Sequence, residues 1–219
     1  MSSLVHSLKP LNTLLVSTRS DPASVNIFDS LSRRPLWREM VKEVLYTCEN
    51  KFGKIFMWMQ DKPLLHLDRV DKLFVETYSE EVEFNDIIFL SKHAAASGIP
   101  SLTIHPIGIP WQVDNSMTGG LPGRCSPPSF RISSLYRSLL SETRRQGLES
   151  KYQVTLEATH HGPHADIPAC FVEIGSTEDI WPVKEAGMLL LKYSKTTHSY
   201  LWVYQRRTVG RCPVTAFAN

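Results

Sequence analysis

Several short runs of this chain are apolar almost from end to end: "TLLV" (13–16), "KIFMWMQ" (54–60), "DIIFL" (86–90), "SLTI" (101–104) and "ACFVEI" (169–174). A strand with one wet face alternates apolar and polar residues; a strand without that alternation is covered on both faces. Segments with helical spacing separate several of these runs. Such alternation predicts an α/β fold, a mostly parallel or mixed sheet with helices on both faces. With 42% apolar residues over 219 positions, the chain can fill a core of that size.

Element by element, "NTLLVSTRSD" (12–21) reads as a buried strand and a polar turn. Asp21 is placed to cap a helix that Pro22 begins. In "PLWREMVKEVLYTCENKFG" (35–53), Trp37, Met40, Val41, Val44 and Leu45 fall at helical spacing, and Gly53 suits a C-cap. "KIFMWMQ", "DKLFVETYS" (71–79), "DIIFLSKHAAASG" (86–98) and "IPSLTIHPIG" (99–108) read as strands, the third passing into a small-residue helix or turn at Lys92-His93 and the last stopped by Pro106. A loop rich in Gly and Pro runs from Trp111 to Pro128. "SFRISSLYRSLLSETRRQG" (129–147) is an amphipathic helix with Ile132, Leu135, Tyr136, Leu139 and Leu140 on its apolar stripe. Arg131, Arg137, Arg144 and Arg145 lie off that stripe. "YQVTLEATHHG" (152–162) and "ACFVEIGST" (169–177) are strands around a group of histidines.

A net charge of +2 neither demands nor excludes a polyanionic partner. Cys48, Cys125, Cys170 and Cys212 are scattered, which suits reduced thiols rather than a disulfide framework. The N-terminal stretch lacks the pattern of a secretory signal, and no apolar run approaches the roughly 18 residues of a membrane span. A cytoplasmic monomer is expected, with the nucleus as a second compartment. There is no Walker loop, no G-x-G-x-x-G and no G-x-S-x-G elbow.

In doubly wound sheets, ligands gather at the carboxyl ends of strands. Here Ser17, Thr18 and Arg19 follow "TLLV", His93 follows "IIFLSK", His105 ends "SLTI", and His160 and His161 end "VTLEAT". Parallel strands would bring these groups to one edge. Imidazoles suit zinc, and three protein ligands make a catalytic site that lowers the pKa of a water toward about 7. Glu173, inside an apolar run, needs a partner such as a histidine or a metal. Glu157 is either a surface carboxylate or a support behind the first layer. Other readings stand beside these. His160 or His161 alone can be a strand-end histidine bonded to a carbonyl. His164 after Gly-Pro reads as solvated, and Cys170 as a buried filler. The arginines of 131–145 read as a solvated helix face or, with Lys92 and Arg124, as phosphate contacts.

Four stretches, "STRSDPASVNI", "LHLD", "DIIFLSKHAAASGIPSLTIHPIG" and "LEATHHGPHADIPACFVEIGSTEDIW", resemble the archaeal and plant type of D-aminoacyl-tRNA deacylase. They cover the chain from about Asn12 to Leu191 in consistent order. The resemblance implies a fold likened to peptidyl-tRNA hydrolases and nucleoside phosphorylases. It also implies association with zinc and hydrolysis of the ester joining a D-amino acid to the 3′ end of tRNA, including aldehyde-modified forms. It assigns His160, His161, Glu173 and Glu157 as catalytic candidates. His93, His105, His160 and His161 become metal or substrate-contact candidates; Ser17 and Arg19 by their strand-end position, and Lys92 and Arg124 by their charge, are substrate-binding candidates. The partner it implies is D-aminoacyl-tRNA. Residues 1–191 would form the deacylase region. The tail 192–219 matches nothing in that family, whose members continue with a further α/β portion. Two other functional readings are a truncated product without activity and an α/β zinc hydrolase acting on a small substrate.

Overall fold

The computed structural model describes residues 10–50, 53–112 and 117–189. His6, His198, Cys212 and the expected tail lie outside these residues.

The chain begins with strand β1 (Thr13–Thr18) and helix α1 (Pro22–Ser32). Asp21 caps α1, its Oδ1 accepting from the backbone N–H groups of Ala23 (2.9 Å) and Ser24 (3.0 Å). Two strands follow, β2 (Arg38–Val41) and β3 (Leu45–Asn50), where the sequence spacing predicted one helix over 35–53. Glu43, at φ 54°, makes the turn, and β3 pairs antiparallel with β4 (Gly53–Gln60). Gly53 therefore opens a strand rather than capping a helix. Pairing with β4 places Leu45 in the core, while Met40 and Val41 stay exposed, so the helical spacing was coincidental.

The reverse correction applies to 71–79, expected as a strand. It is helix α2 (Val70–Tyr78), because Val70, Phe74 and Tyr78 recur every four residues. Phe74 sits edge-on against Phe56, Trp58 and Phe84, with centroids 5.1–5.2 Å away. Strands β5 (Asp86–Lys92) and β6 (Ser101–Pro106) come next. The two-residue strands β7 (Gly108–Ile109) and β8 (Arg124–Cys125) then form a small separate ladder. Helix α3 (Ile132–Arg145), strands β9 (Gln153–Leu156) and β10 (Ala169–Gly175), and helix α4 (Lys184–Leu189) complete the described chain.

The eight-stranded sheet runs β2-β3-β4-β1-β5-β10-β6-β9. Strands β4, β1, β5 and β10 are parallel. Strand β6 is antiparallel to β10, and β9 parallel to β6, so the sheet is mixed. Side chains alternate across it. Along β10, Cys170, Val172 and Ile174 face a core shared with α1, α3 and α4. Ala169 and Phe171 face the second core, which α2 covers. Among the described helices, none is long and apolar enough to cross a membrane.

Arg131 was expected off the apolar stripe of α3. It is instead buried, with Nε 2.9 Å from Asp86 Oδ2 and a terminal nitrogen donating to Thr13 Oγ1 at 3.1 Å. It pins the start of α3 to the starts of β1 and β5.

Candidate metal and hydrolytic centre

Glu173 follows Phe171 on the same face of β10, where the apolar core gives way to polar groups. Antiparallel pairing sets Thr103 opposite Glu173 and His105 opposite Phe171. Thr103 Oγ1 donates to Glu173 Oε2 at 3.0 Å. The same oxygen is 3.6 Å from His93 Nδ1 and 3.7 Å from His105 Nε2. His93 stands just past β5, with Nδ1 3.3 Å from Glu157 Oε1. Glu157 leaves the end of β9, and its other oxygen is 4.0 Å from His160 Nε2.

The imidazoles form a second, adjoining group. The ring of His105 lies nearly flat on Phe171 (5.1 Å, 8°) and 4.4 Å from that of His160. His161 stands edge-on to both His105 (4.8 Å) and Phe171 (4.8 Å). The loop carrying it is fixed by Gly108 N–H donating to the His161 carbonyl at 2.8 Å. The chain over 118–120 crosses so close to Gly162 that a Cβ there would lie 2.3 Å from Gly120 N. Only glycine fits that approach.

Each of the three rings points Nδ1 at a backbone carbonyl: His105 at Pro106 (2.8 Å), His160 at Ala158 (2.7 Å), His161 at Gly162 (2.7 Å). A carbonyl only accepts, so each Nδ1 carries a proton, and in the neutral form of such a ring the lone pair is on Nε2. In His105 that Nε2 is buried without a hydrogen-bond partner. A fixed tautomer with one unused lone pair is how metal-binding histidines are held. His105, His160 and His161 offer ligand atoms within 4.8 Å of one another, and so do His93, Glu157 and Glu173. The donor sets, one of imidazoles and one mixed, fit zinc.

Electrostatics separate the groups. Burial pushes the His161 imidazole down to about 4, with His105 adding to the effect, so it is neutral near pH 7. Glu173 resists the upward pull of burial, because His105 and His93 hold its carboxyl well below the usual range. His93 is raised, first by its contact with Glu173 and then by the charge of Glu157. His105 is pulled down by burial, yet the carboxylate of Glu173 brings it above its ordinary value.

The described structure thus gathers His93, His105, Glu157, His160, His161 and Glu173. It does not gather them at one strand edge, as an all-parallel sheet would. Because β6 and β9 run against β10, the groups meet on a face of the sheet. Ser17, Arg19 and Lys92 do sit at the carboxyl ends of β1 and β5, but with other partners. The Ser17 hydroxyl is buried without a partner. Arg19 Nε is 3.4 Å from Asp61 Oδ1, and Lys92 Nζ lies 4.6 Å over the ring of Trp181. Arg124 is exposed in β8. His164 is buried, not solvated, and its Nε2 lies 3.2 Å from Asp166 Oδ1. Cys170 is fully buried, and burial drives its thiol pKa upward, which suits a filler. Thr103, which orients Glu173, went unnoticed in the sequence; only the register of β6 against β10 reveals it.

A buried carboxylate beside three histidine rings, each with Nδ1 against a backbone carbonyl, is thus gathered on an α/β sheet as a candidate metal site. A family model described as D-aminoacyl-tRNA deacylase matches residues 80–199, and the chain belongs to that family. It is 36% identical over 182 residues to an Arabidopsis thaliana protein named D-aminoacyl-tRNA deacylase, covering 81% of this chain and 56% of that one. A Thermoplasma acidophilum protein of the same name is 33% identical over 177 residues, covering 79% of this chain and 60% of its own length. Among solved structures, a conserved protein of unknown function, AF0625, superposes with TM-score 0.66 at 27% identity, covering 83% of this chain and 61% of that chain. The chain therefore spans less than two thirds of the relatives it matches.

Proposed function

We propose that this centre hydrolyses the ester of D-aminoacyl-tRNA with zinc as its metal, freeing the D-amino acid and the tRNA. The observation that carries the metal part is the common tautomer of His105, His160 and His161, each fixed by a backbone carbonyl. Family membership supports the substrate. His105, His160 and His161 would hold the ion, and His93, Glu157 and Glu173 offer a second set of donors. A bound zinc supplies a Lewis acid that lowers the pKa of a water toward neutrality.

The chain's own groups do the rest. Glu157, half-buried at the mouth of the site, takes the proton of the attacking water as its oxygen forms the bond to the ester carbonyl carbon. His93, between Glu157 and Glu173, carries a proton to the ribose oxygen as the ester C–O bond breaks. Glu173 stays ionised and holds His93 and His105 in orientation, itself oriented by Thr103. The stack of Phe89, Phe171 and His105 excludes water from the inner side of the site.

The test is release of amino acid from D-tyrosyl-tRNA and L-tyrosyl-tRNA by purified chain, with zinc content measured beside it. Zinc-dependent release selective for the D form is expected. A chain that binds zinc yet hydrolyses neither ester, beside an active full-length relative, would overturn the reading for this chain. It would favour a truncated product whose site needs the further portion found in longer relatives.

A further inference from the structure

His93 has an exacting place and little local support. Its ring must reach both Glu157 and Glu173, yet it lies one residue beyond β5, where the strand no longer dictates side-chain direction. Its backbone is nevertheless held at both ends. Its N–H donates to the Ile174 carbonyl at 2.9 Å. Its carbonyl accepts from Trp181 Nε1–H, also at 2.9 Å. The residue before it is tied as well, with Lys92 N–H donating to Asp21 Oδ2 at 2.8 Å.

Trp181 is itself anchored far from the site. Its indole is buried in the core on the α1 side of the sheet, opposite the face that carries Glu173. Asn26 of α1 donates from Nδ2 to the Trp181 carbonyl at 2.9 Å, and the Trp181 N–H donates to the Thr177 carbonyl at 3.1 Å. The Lys92 ammonium lies over the indole face. On the other flank, Gly175 leaves room for the His93 ring: a Cβ there would come within 2.7 Å of His93 Cδ2 and 2.6 Å of Ser101 Oγ.

We infer that Trp181 is a positioning residue for the centre: its indole N–H fixes the backbone of His93, and Gly175 leaves the gap into which the ring turns toward Glu157 and Glu173. The inference rests on the proposed role of His93 and concerns how Trp181 and Gly175 place its ring. A buried indole N–H seeks an acceptor, and this one takes the carbonyl of a site residue rather than a structural one. Small displacements of a reacting group are expensive in rate, so a clamp of this kind acts on turnover before it acts on folding.

The experiment uses Trp181→Phe in the full chain, which keeps an aromatic ring at this core position, removes the N–H donor and makes the side chain smaller. With histidine labelled for NMR, the ring resonances of His93 should move while those of His164, tied elsewhere to Asp166, stay in place. With D-tyrosyl-tRNA, kcat should fall roughly 10- to 100-fold with KM nearly unchanged. Unmoved His93 resonances in folded Trp181→Phe would overturn the inference, as would equal movement of His93 and His164. If that variant does not fold, Gly175→Ala crowds the same ring from the opposite side. It should move His93 selectively, and unmoved resonances there would equally overturn the inference. The NMR readout needs no substrate, so a chain without deacylase activity whose His93 still answers to Trp181 would sink the functional reading and leave the clamp standing.

Discussion

Asp86 and Glu173 are two carboxylates buried in neighbouring strands of one sheet, and they have opposite characters. Asp86 opens β5 and faces a single guanidinium, that of Arg131, in a region closed to water. Burial pushes its carboxyl up to about 6 despite that partner. Glu173 lies deep in β10 and shares one oxygen among a hydroxyl and two imidazoles. Those imidazoles hold it ionised and open outward to groups that solvent reaches. A permanent cation makes a buried carboxylate structural, whereas histidines, which can gain and lose protons or bind metal, make it chemical.

The comparison breaks most visibly at Glu173. Glu173→Gln keeps the shape and removes the charge, and deacylation should fall by about 100-fold or more while the denaturation midpoint moves little. A large loss of stability with activity intact per folded molecule would make Glu173 another Asp86. His160→Ala or His161→Ala should likewise abolish deacylation and lower zinc content with the fold retained; near-normal activity in both would remove the imidazole group from the mechanism.

Arg131→Met gives the opposite pattern. It leaves Asp86 buried and unpaired, which costs about 3–5 kcal/mol in urea denaturation. The zinc content and pH profile of the surviving folded fraction should be unchanged.

pH sharpens the contrast. His161, held down at about 4, stays neutral in the fold while the unfolded chain takes up a proton below its ordinary value of 6.5. Its effect is a loss of stability as pH falls from 6.5 to about 4. Asp86 is raised from 3.8 to about 6, so the fold binds the proton first, and its effect is a gain of stability as pH falls through that window. His161→Gln should therefore flatten the acid side of the denaturation-midpoint profile, measured from pH 4 to 7. An unchanged profile would mean that the imidazole is not held neutral.

The smallest effect expected is at Asp21. Asp21→Ala removes the cap of α1 and the acceptor of Lys92 N–H, for a loss of about 1–2 kcal/mol by thermal melts.

How much of this was legible in the sequence differs by element. Strands β1, β4, β5, β6 and β10 announced themselves through apolar runs, and α1 through Asp21 and Pro22. The segments 35–53 and 71–79 exchanged their expected forms. In 35–53 the apolar residues fell at helical spacing and pairing with β4 overrode it; in 71–79 the four-residue recurrence of Val70, Phe74 and Tyr78 was present, and packing of that face on the core made the helix. The histidines and Glu173 stood out because titratable groups beside apolar strands need a reason. Arg131 and His164 looked like surface residues, because nothing local shows that Asp86 waits for Arg131 across 45 positions or that Asp68, 96 positions away, takes the backbone N–H of His164.

The sequence by itself determined the α/β class, the apolar strands and which residue types carry the chemistry, since burial pattern and residue chemistry are written locally. Only the tertiary structure decided that β6 and β9 run against β10. That reversal sets Thr103 and His105 across from Glu173 and Phe171 and turns an expected edge site into one on the face of the sheet. Strand direction and register depend on pairings between residues far apart in the chain, such as His105 with Phe171 and Thr103 with Glu173, and no local pattern encodes them.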